Sequence, residues 1–129
     1  MDPTCYSFKK ISEKNGVCIY YTNPTKATIN TDIVEHYDNA LKQLGNNKWI
    51  WILDSDGFDM KYVFDLKTGT GIAELLTDKY ATNLLEIKII NPTWHIKTIL
   101  KAVMPFLDKI TRDKIKILKD RYYSIVEFV

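Results

Sequence analysis

The run Trp49-Ile50-Trp51-Ile52-Leu53 constrains this chain more than any other stretch. Five bulky apolar residues in succession put large side chains on both faces of a strand. Only a strand covered on both sides tolerates that, so the run predicts a central strand buried between helix layers.

The elements around it alternate in type. Tyr6 to Ile11 and Val17 to Thr22 are short β-rich runs, and Asn15-Gly16 between them is a strong hairpin signal. Asn23-Pro24 stops the second strand. Asp32 and Glu35 have capping-box spacing, with Thr31 as the alternative cap. Ile33, Val34, Tyr37, Ala40, Leu41 and Leu44 then share one helical face, and Gly45 is a natural stop. Residues 61–67 read as helical or irregular, Thr68-Gly69-Thr70-Gly71 as a helix-breaking linker, and Ile72 to Ala81 as a second helix. Leu84 to Ile90 is a strand ended by Asn91-Pro92, and Thr93 caps a helix from Trp94 to about Met104, which Pro105 ends or kinks. Asp108 to Asp113 is a short turn or helix, Ile115 to Leu118 a strand, and Tyr122 to Val129 a short terminal helix. Strands alternating with helices predict an α/β fold with a mixed, largely parallel sheet of about five strands and right-handed crossovers.

The 129 residues make a single domain, 1–129. At this size roughly two-thirds of the unfolded surface is buried, so the core needs neither disulfides nor metal. The two cysteines, Cys5 and Cys18, form no disulfide framework and no zinc set; they read as free thiols of a reducing, cytoplasmic setting. The start, MDPTCYSFKK, has no basic-then-apolar run, so no secretory signal is expected. No apolar stretch approaches the roughly 18 residues of a membrane span.

Charge is unevenly placed. Residues 1–93 carry 10 basic and 12 acidic side chains; residues 94–121 carry 8 basic and 3 acidic. That second segment is either a solvated helical face or a surface that meets anions such as phospholipid headgroups. The overall charge of +2 gives no case for nucleic acid.

Motifs for catalysis are weak. Leu53-Asp54-Ser55-Asp56-Gly57 resembles the nucleophile loop of haloacid-dehalogenase-like phosphatases, but Phe58 stands where a small hydroxylic residue is common and no later Asp-Asp pair follows. The spacing also fails as a calcium loop. The plain reading is a polar loop at a strand end, with Asp54 capping local N–H groups. Gly69-Thr70-Gly71 lacks the rest of a dinucleotide or phosphate loop. His36 and His95 lie far apart without partner residues at ligand spacing.

Trp94 to Leu107 is the most informative stretch. Ile96, Ile99, Leu100, Val103 and Leu107 make one apolar stripe, with Lys97, Thr98 and Lys101 opposite. That pattern suits an amphipathic helix packed on a sheet. It equally suits a helix that covers a hydrophobic ligand and presents lysines to an anionic membrane.

Residues 85–118, LEIKIINPTWHIKTILKAVMPFLDKITRDKIKIL, resemble the CRAL-TRIO lipid-binding domain family, which includes the yeast phosphatidylinositol transfer proteins. The matching pieces are Asn91-Pro92-Thr93, Pro105-Phe106-Leu107-Asp108 and Lys114-Ile115. Upstream, Trp49 to Phe58 looks like the family strand ending in Asp-x-x-Gly-Phe, with Asp54 and Gly57 matching. Asp78-Lys79-Tyr80 resembles an Asn-Tyr-Pro segment, and Gly16-Val17 the start of a long strand. The resemblance covers about residues 6–129 and looks like a minimal version, without a helical N-terminal extension.

The resemblance implies a sheet forming the floor of an apolar pocket, closed by an amphipathic gate helix at Trp94–Leu107. It implies a non-enzymatic lipid-binding and transfer protein without cofactor, carrying phosphatidylinositol or a phosphoinositide. Thr111 and Lys114 match a headgroup-binding Thr and Lys, whereas Thr82 and Asn83 stand where the family has Glu-Arg. Lys97 and Lys101 would then face the membrane in peripheral contact. A full lipid pocket is large for 129 residues, so a shallow pocket, a partly open one, or one completed by a second chain in a homodimer is expected. The alternative is a divergent member serving as a protein-interaction scaffold, for example for small GTPases.

Overall fold

The structure is a computed structural model that describes residues 6–26, 32–59 and 66–129. The expectations for Cys5, for Thr31 as a cap and for residues 61–65 lie outside them. Five strands form one sheet in sequence order: β1 (Ser7–Lys14), β2 (Val17–Thr22), β3 (Lys48–Asp54), β4 (Leu84–Ile90) and β5 (Ile115–Leu118). β1 runs antiparallel to β2, and every other neighbour pair is parallel. Among the described residues four α-helices accompany the sheet: α1 (Ile33–Leu41), α2 (Leu66–Leu75), α3 (Trp94–Val103) and α4 (Lys109–Arg112).

Local signals account for most boundaries. The β1–β2 hairpin turns on Asn15 and Gly16, both at positive φ (55° and 77°), as a two-residue type I′ turn requires. Asp32, Thr93 and Asp108 each accept a hydrogen bond from the backbone N–H three residues on, capping α1, α3 and α4. Pro105 sits in a single 3₁₀ turn, Met104–Phe106, which ends α3.

Strand order decides the layers. From β2 to β5 the chain advances one strand at a time in one direction, each step through a helical crossover. Right-handed crossovers then put all the helices on one face. There, Trp49, Trp51, Leu53, Ile87 and Ile89 of the sheet pack with Tyr37 and Leu41 of α1, Leu76 after α2, and Ile96 of α3. The opposite face carries Tyr21, Ile52 and Ile90, covered by Tyr123, Ile125 and Phe128 of the C-terminal segment with Tyr6 and Ile11. So β3 is buried on both sides, but only one cover is a helix layer; the expected second layer is a tail with one 3₁₀ turn, Ile125–Phe128.

Thr68-Gly69-Thr70-Gly71 corrects the sequence reading more sharply, because it does not break a helix but lies inside α2. A Cβ at Gly69 would stand 2.9 Å from Val103 of α3, and one at Gly71 would stand 2.8 Å from Val34 of α1. The glycines let α2 wedge between its neighbours, which compensates their poor helix propensity of about 1 kcal/mol each. The helix continues as a π-helical turn, Leu76–Tyr80.

The acidic loop after β3 is structural. Asp54 is buried on the face away from the helices and accepts from the Tyr21 hydroxyl, the Asn91 amide (3.0 Å) and the Asp56 N–H (3.0 Å). These contacts fit the plain reading of Asp54 as a group that ties down the loop at the strand end. Asn91, left-handed at φ 51°, also pairs with the backbone of Tyr123: its amide donates to the carbonyl at 2.9 Å, and its oxygen accepts the N–H at 2.8 Å. One side chain thus joins β3, β4 and the C-terminal segment. Asn91→Ala should lower the unfolding free energy in urea by about 2–4 kcal/mol, since it leaves buried groups unpaired. Asn91→Gly, which relaxes the backbone but not the hydrogen bonds, should recover only a small part. Wild-type stability in the glycine variant would show that the amide contributes nothing.

Candidate functional site

A cavity of about 280 Å³ lies between the sheet and the helix layer. Its floor is Trp51 and Leu53 of β3, Ile87 and Ile89 of β4, and Ile115 of β5. Ile33 and Tyr37 of α1 line one side; Gly69, Ile72, Ala73 and Leu76 line another. Ile96, Ile99, Leu100 and Val103 of α3, with Leu107 beyond it, form the roof. Among the described residues no charged side chain lines this cavity.

The floor is stiff because it is aromatic. Phe8 stacks on Tyr37 with ring centres 4.0 Å apart, and Trp51 meets both rings edge-on at 5.6 and 5.7 Å. Such contacts contribute beyond buried area and fix ring orientation. Burial pushes the Tyr37 phenol up to about 12, the neighbouring Thr22 hydroxyl acting in the opposite direction.

The roof helix is rooted at one end. Thr93 caps α3 through the Ile96 N–H and donates to the Phe58 carbonyl at 2.8 Å. Two residues earlier stands the Asn91 junction. At its other end α3 meets α2 through Val103 and the bare backbone of Gly69. Lys97 and Lys101 are exposed, on the face opposite the cavity, and Trp94 shares that helical face and is 62% exposed.

Thr111 and Lys114 are not brought to the cavity wall. Thr111 is fully buried in α4. The Lys114 ammonium donates to the Ala81 carbonyl at 2.7 Å, so it reaches the turn just before Thr82 and Asn83. Its chain neighbour Ile115 lines the cavity. Sequence reasoning placed the α3 stripe but missed Tyr37, Trp51, Gly69, Ile72 and Phe58 as wall residues. Tyr37 and Trp51 carried apolar periodicity without any mark that their faces meet a space. Gly69 carried the opposite signal, that of a breaker. Among the described residues no helix is long and apolar enough to cross a membrane.

A family model described as the CRAL/TRIO domain matches residues 16–129 of the chain. No curated protein matches it.

The Gly69–Val103 contact is testable as a pair. Gly69→Ala should fail to give the stabilisation of about 1 kcal/mol expected of that exchange in a helix, because the new methyl meets Val103. Adding Val103→Ala should recover it, giving a coupling of about 1 kcal/mol or more in a double-mutant cycle by urea unfolding. Additive effects would mean that the two helices do not touch there.

Proposed function

The chain belongs to the CRAL/TRIO domain family, and we propose that it binds a phospholipid in the cavity beneath α3 and carries it between membranes. Family membership supports a lipophilic ligand and a binding role in place of a catalytic one. The observation that carries the reading is the cavity itself: a wall whose described residues carry no charge, kept open in the middle of the helix layer. At about 280 Å³ it stands near the lower end of the roughly 300–1,000 Å³ usual for ligand sites, so it takes part of a lipid as it stands. Movement of α3, or a second copy of the chain, would admit the rest.

The energetic case for such a carrier is simple. Exposing about 30 acyl methylenes to water costs roughly 20–25 kcal/mol, at about 0.8 each. An apolar chamber removes much of that barrier to exchange. The roof must then open where water is absent, at a membrane. Lys97 and Lys101 on the outer face of α3 suit an anionic surface, and Trp94 beside them suits the interfacial layer. The setting is therefore cytoplasmic, with transient peripheral membrane contact.

Within that reading the ligand is phosphatidylinositol or a phosphoinositide, as in the yeast phosphatidylinositol transfer proteins. An ammonium has three donors and Ala81 accepts from Lys114, so the others are available to a phosphate. Thr111, three residues earlier, belongs to the same headgroup region. A second reading is a protein-interaction scaffold. In its favour, Ile19 and Ile50 on the tail-covered face of the sheet are only partly buried.

Three measurements separate these statements. Leu100→Asp puts a charge on the cavity roof and should abolish vesicle-to-vesicle lipid transfer while the protein stays folded; surviving transfer would remove α3 from the role of gate. Lys97→Glu with Lys101→Glu should weaken binding to anionic vesicles by about 1 kcal/mol per lysine and reduce its salt dependence. Unchanged binding would leave these lysines as a solvated face. Lys114→Ala should lower phosphoinositide transfer about tenfold, the worth of a charge-assisted contact, and phosphatidylcholine transfer much less. Equal loss for both lipids would assign Lys114 to the Ala81 contact alone.

A further inference from the structure

Among the described residues, and apart from Thr68 on α2, the hydrogen-bonding side chains of the cavity wall gather in one corner, where Thr22, Tyr37 and Trp51 come together. Thr22 pairs with Leu53 in the β2–β3 ladder, two residues along from Trp51 on the same sheet face. The Tyr37 and Trp51 rings are in contact.

The polar atoms of this corner are unevenly satisfied. The Thr22 hydroxyl donates to the Tyr6 carbonyl at 2.8 Å. With that proton committed, its oxygen can only accept. The Tyr37 hydroxyl, on the same wall, can both donate and accept. Trp51 is only 6% exposed, and its indole N–H is sealed from solvent without a hydrogen-bond partner. Trp49, two positions earlier on the same strand face, is buried as well, yet its N–H donates to the Tyr80 carbonyl at 3.0 Å. A buried donor without a partner is costly and uncommon. Here it belongs to a residue of the cavity wall, next to a hydroxyl with acceptor capacity to spare.

We propose that Trp51 and Tyr37 form a recognition corner for an uncharged oxygen of the bound lipid, with the Trp51 N–H as donor. An ester carbonyl of a phospholipid satisfies that donor. The hydroxyl of a single-chain lipophilic alcohol satisfies it too, and can also donate to Tyr37. An ionised carboxylate or phosphate fits poorly, because the described residues of the wall carry no charge to offset its desolvation. The inference rests on the reading that the cavity holds a lipid, and it assigns which part of the lipid lies deepest.

The test uses two matched pairs of radiolabelled probes, each doped into phosphatidylcholine vesicles, with retention by the whole chain as the readout. The pairs are hexadecanol against hexadecane, and dioleoyl phosphatidylcholine against its diether analogue. Wild type should retain the oxygen-bearing or ester-linked member about three- to tenfold better in at least one pair, the worth of one hydrogen bond. A preference in the alcohol pair identifies a hydroxyl, and one in the ester pair a carbonyl. Trp51→Phe should erase that preference, read as the ratio of retention within each pair, whatever the smaller ring does to hexadecane retention and to the urea midpoint. Tyr37→Phe should reduce it in the alcohol pair only. Equal retention within both pairs, or a preference that survives Trp51→Phe, overturns the corner and leaves lipid binding standing. Retention of none of the four probes overturns the lipid-binding reading with it.

Discussion

The order in which the strands are laid down governs the rest of this structure. Once β2, β3, β4 and β5 lie side by side in sequence, right-handed crossovers leave one face for all the helices. That face acquires a roof thick enough to enclose a chamber. The other face acquires no helical crossover and must be covered by whatever chain remains. The C-terminal segment does this with three large side chains, Tyr123, Ile125 and Phe128. The difference between the two faces is therefore topological in origin. It explains why the cavity lies under α3 and not behind the sheet.

The chamber persists because its walls cannot collapse onto one another. Aromatic side chains with two side-chain torsions and edge-on neighbours resist rearrangement. β-branched residues such as Ile87, Ile89 and Ile96 are stiff for a different reason, their restricted χ1. Gly69 and Gly71 set the helix spacing from the other side, since the backbone of α2 meets Val103 and Val34 without intervening methyls. A flexible wall of leucine and methionine would fill such a space more readily. The roof helix is held at its N-terminal root by hydrogen bonds, through Thr93 and the Asn91 junction, and at its far end by the packing of Val103 on Gly69.

How much was legible follows from the range of the interactions. The hairpin at Asn15-Gly16, the caps at Asp32 and Thr93, and the apolar stripe of α3 are written in residues within four or five positions of one another. Each appears in the structure where the sequence analysis put it, apart from shifts of a residue or two at element ends. Asp54 and Asn91 were legible as motif residues but not as partners, because 37 positions separate them. Lys114 read, by resemblance, as a headgroup contact, and the carbonyl it meets lies 33 positions earlier. The Gly-Thr-Gly run was misread outright, since helix propensity argues against a helix and only contact with two other helices argues for one.

The sequence by itself determined an α/β domain, its hairpin, its helix starts and the amphipathic character of the segment over the cavity. These follow from torsional preference and from periodicity, which act along the chain. Only the tertiary structure decided that the helices share one face, that the stripe of α3 meets a space and not a packed core, and that Trp51 keeps an unpartnered donor in that wall. A space has no residue of its own to write in a sequence. It is the volume left when side chains from three helices and four strands stop short of one another, and distances between elements alone settle it.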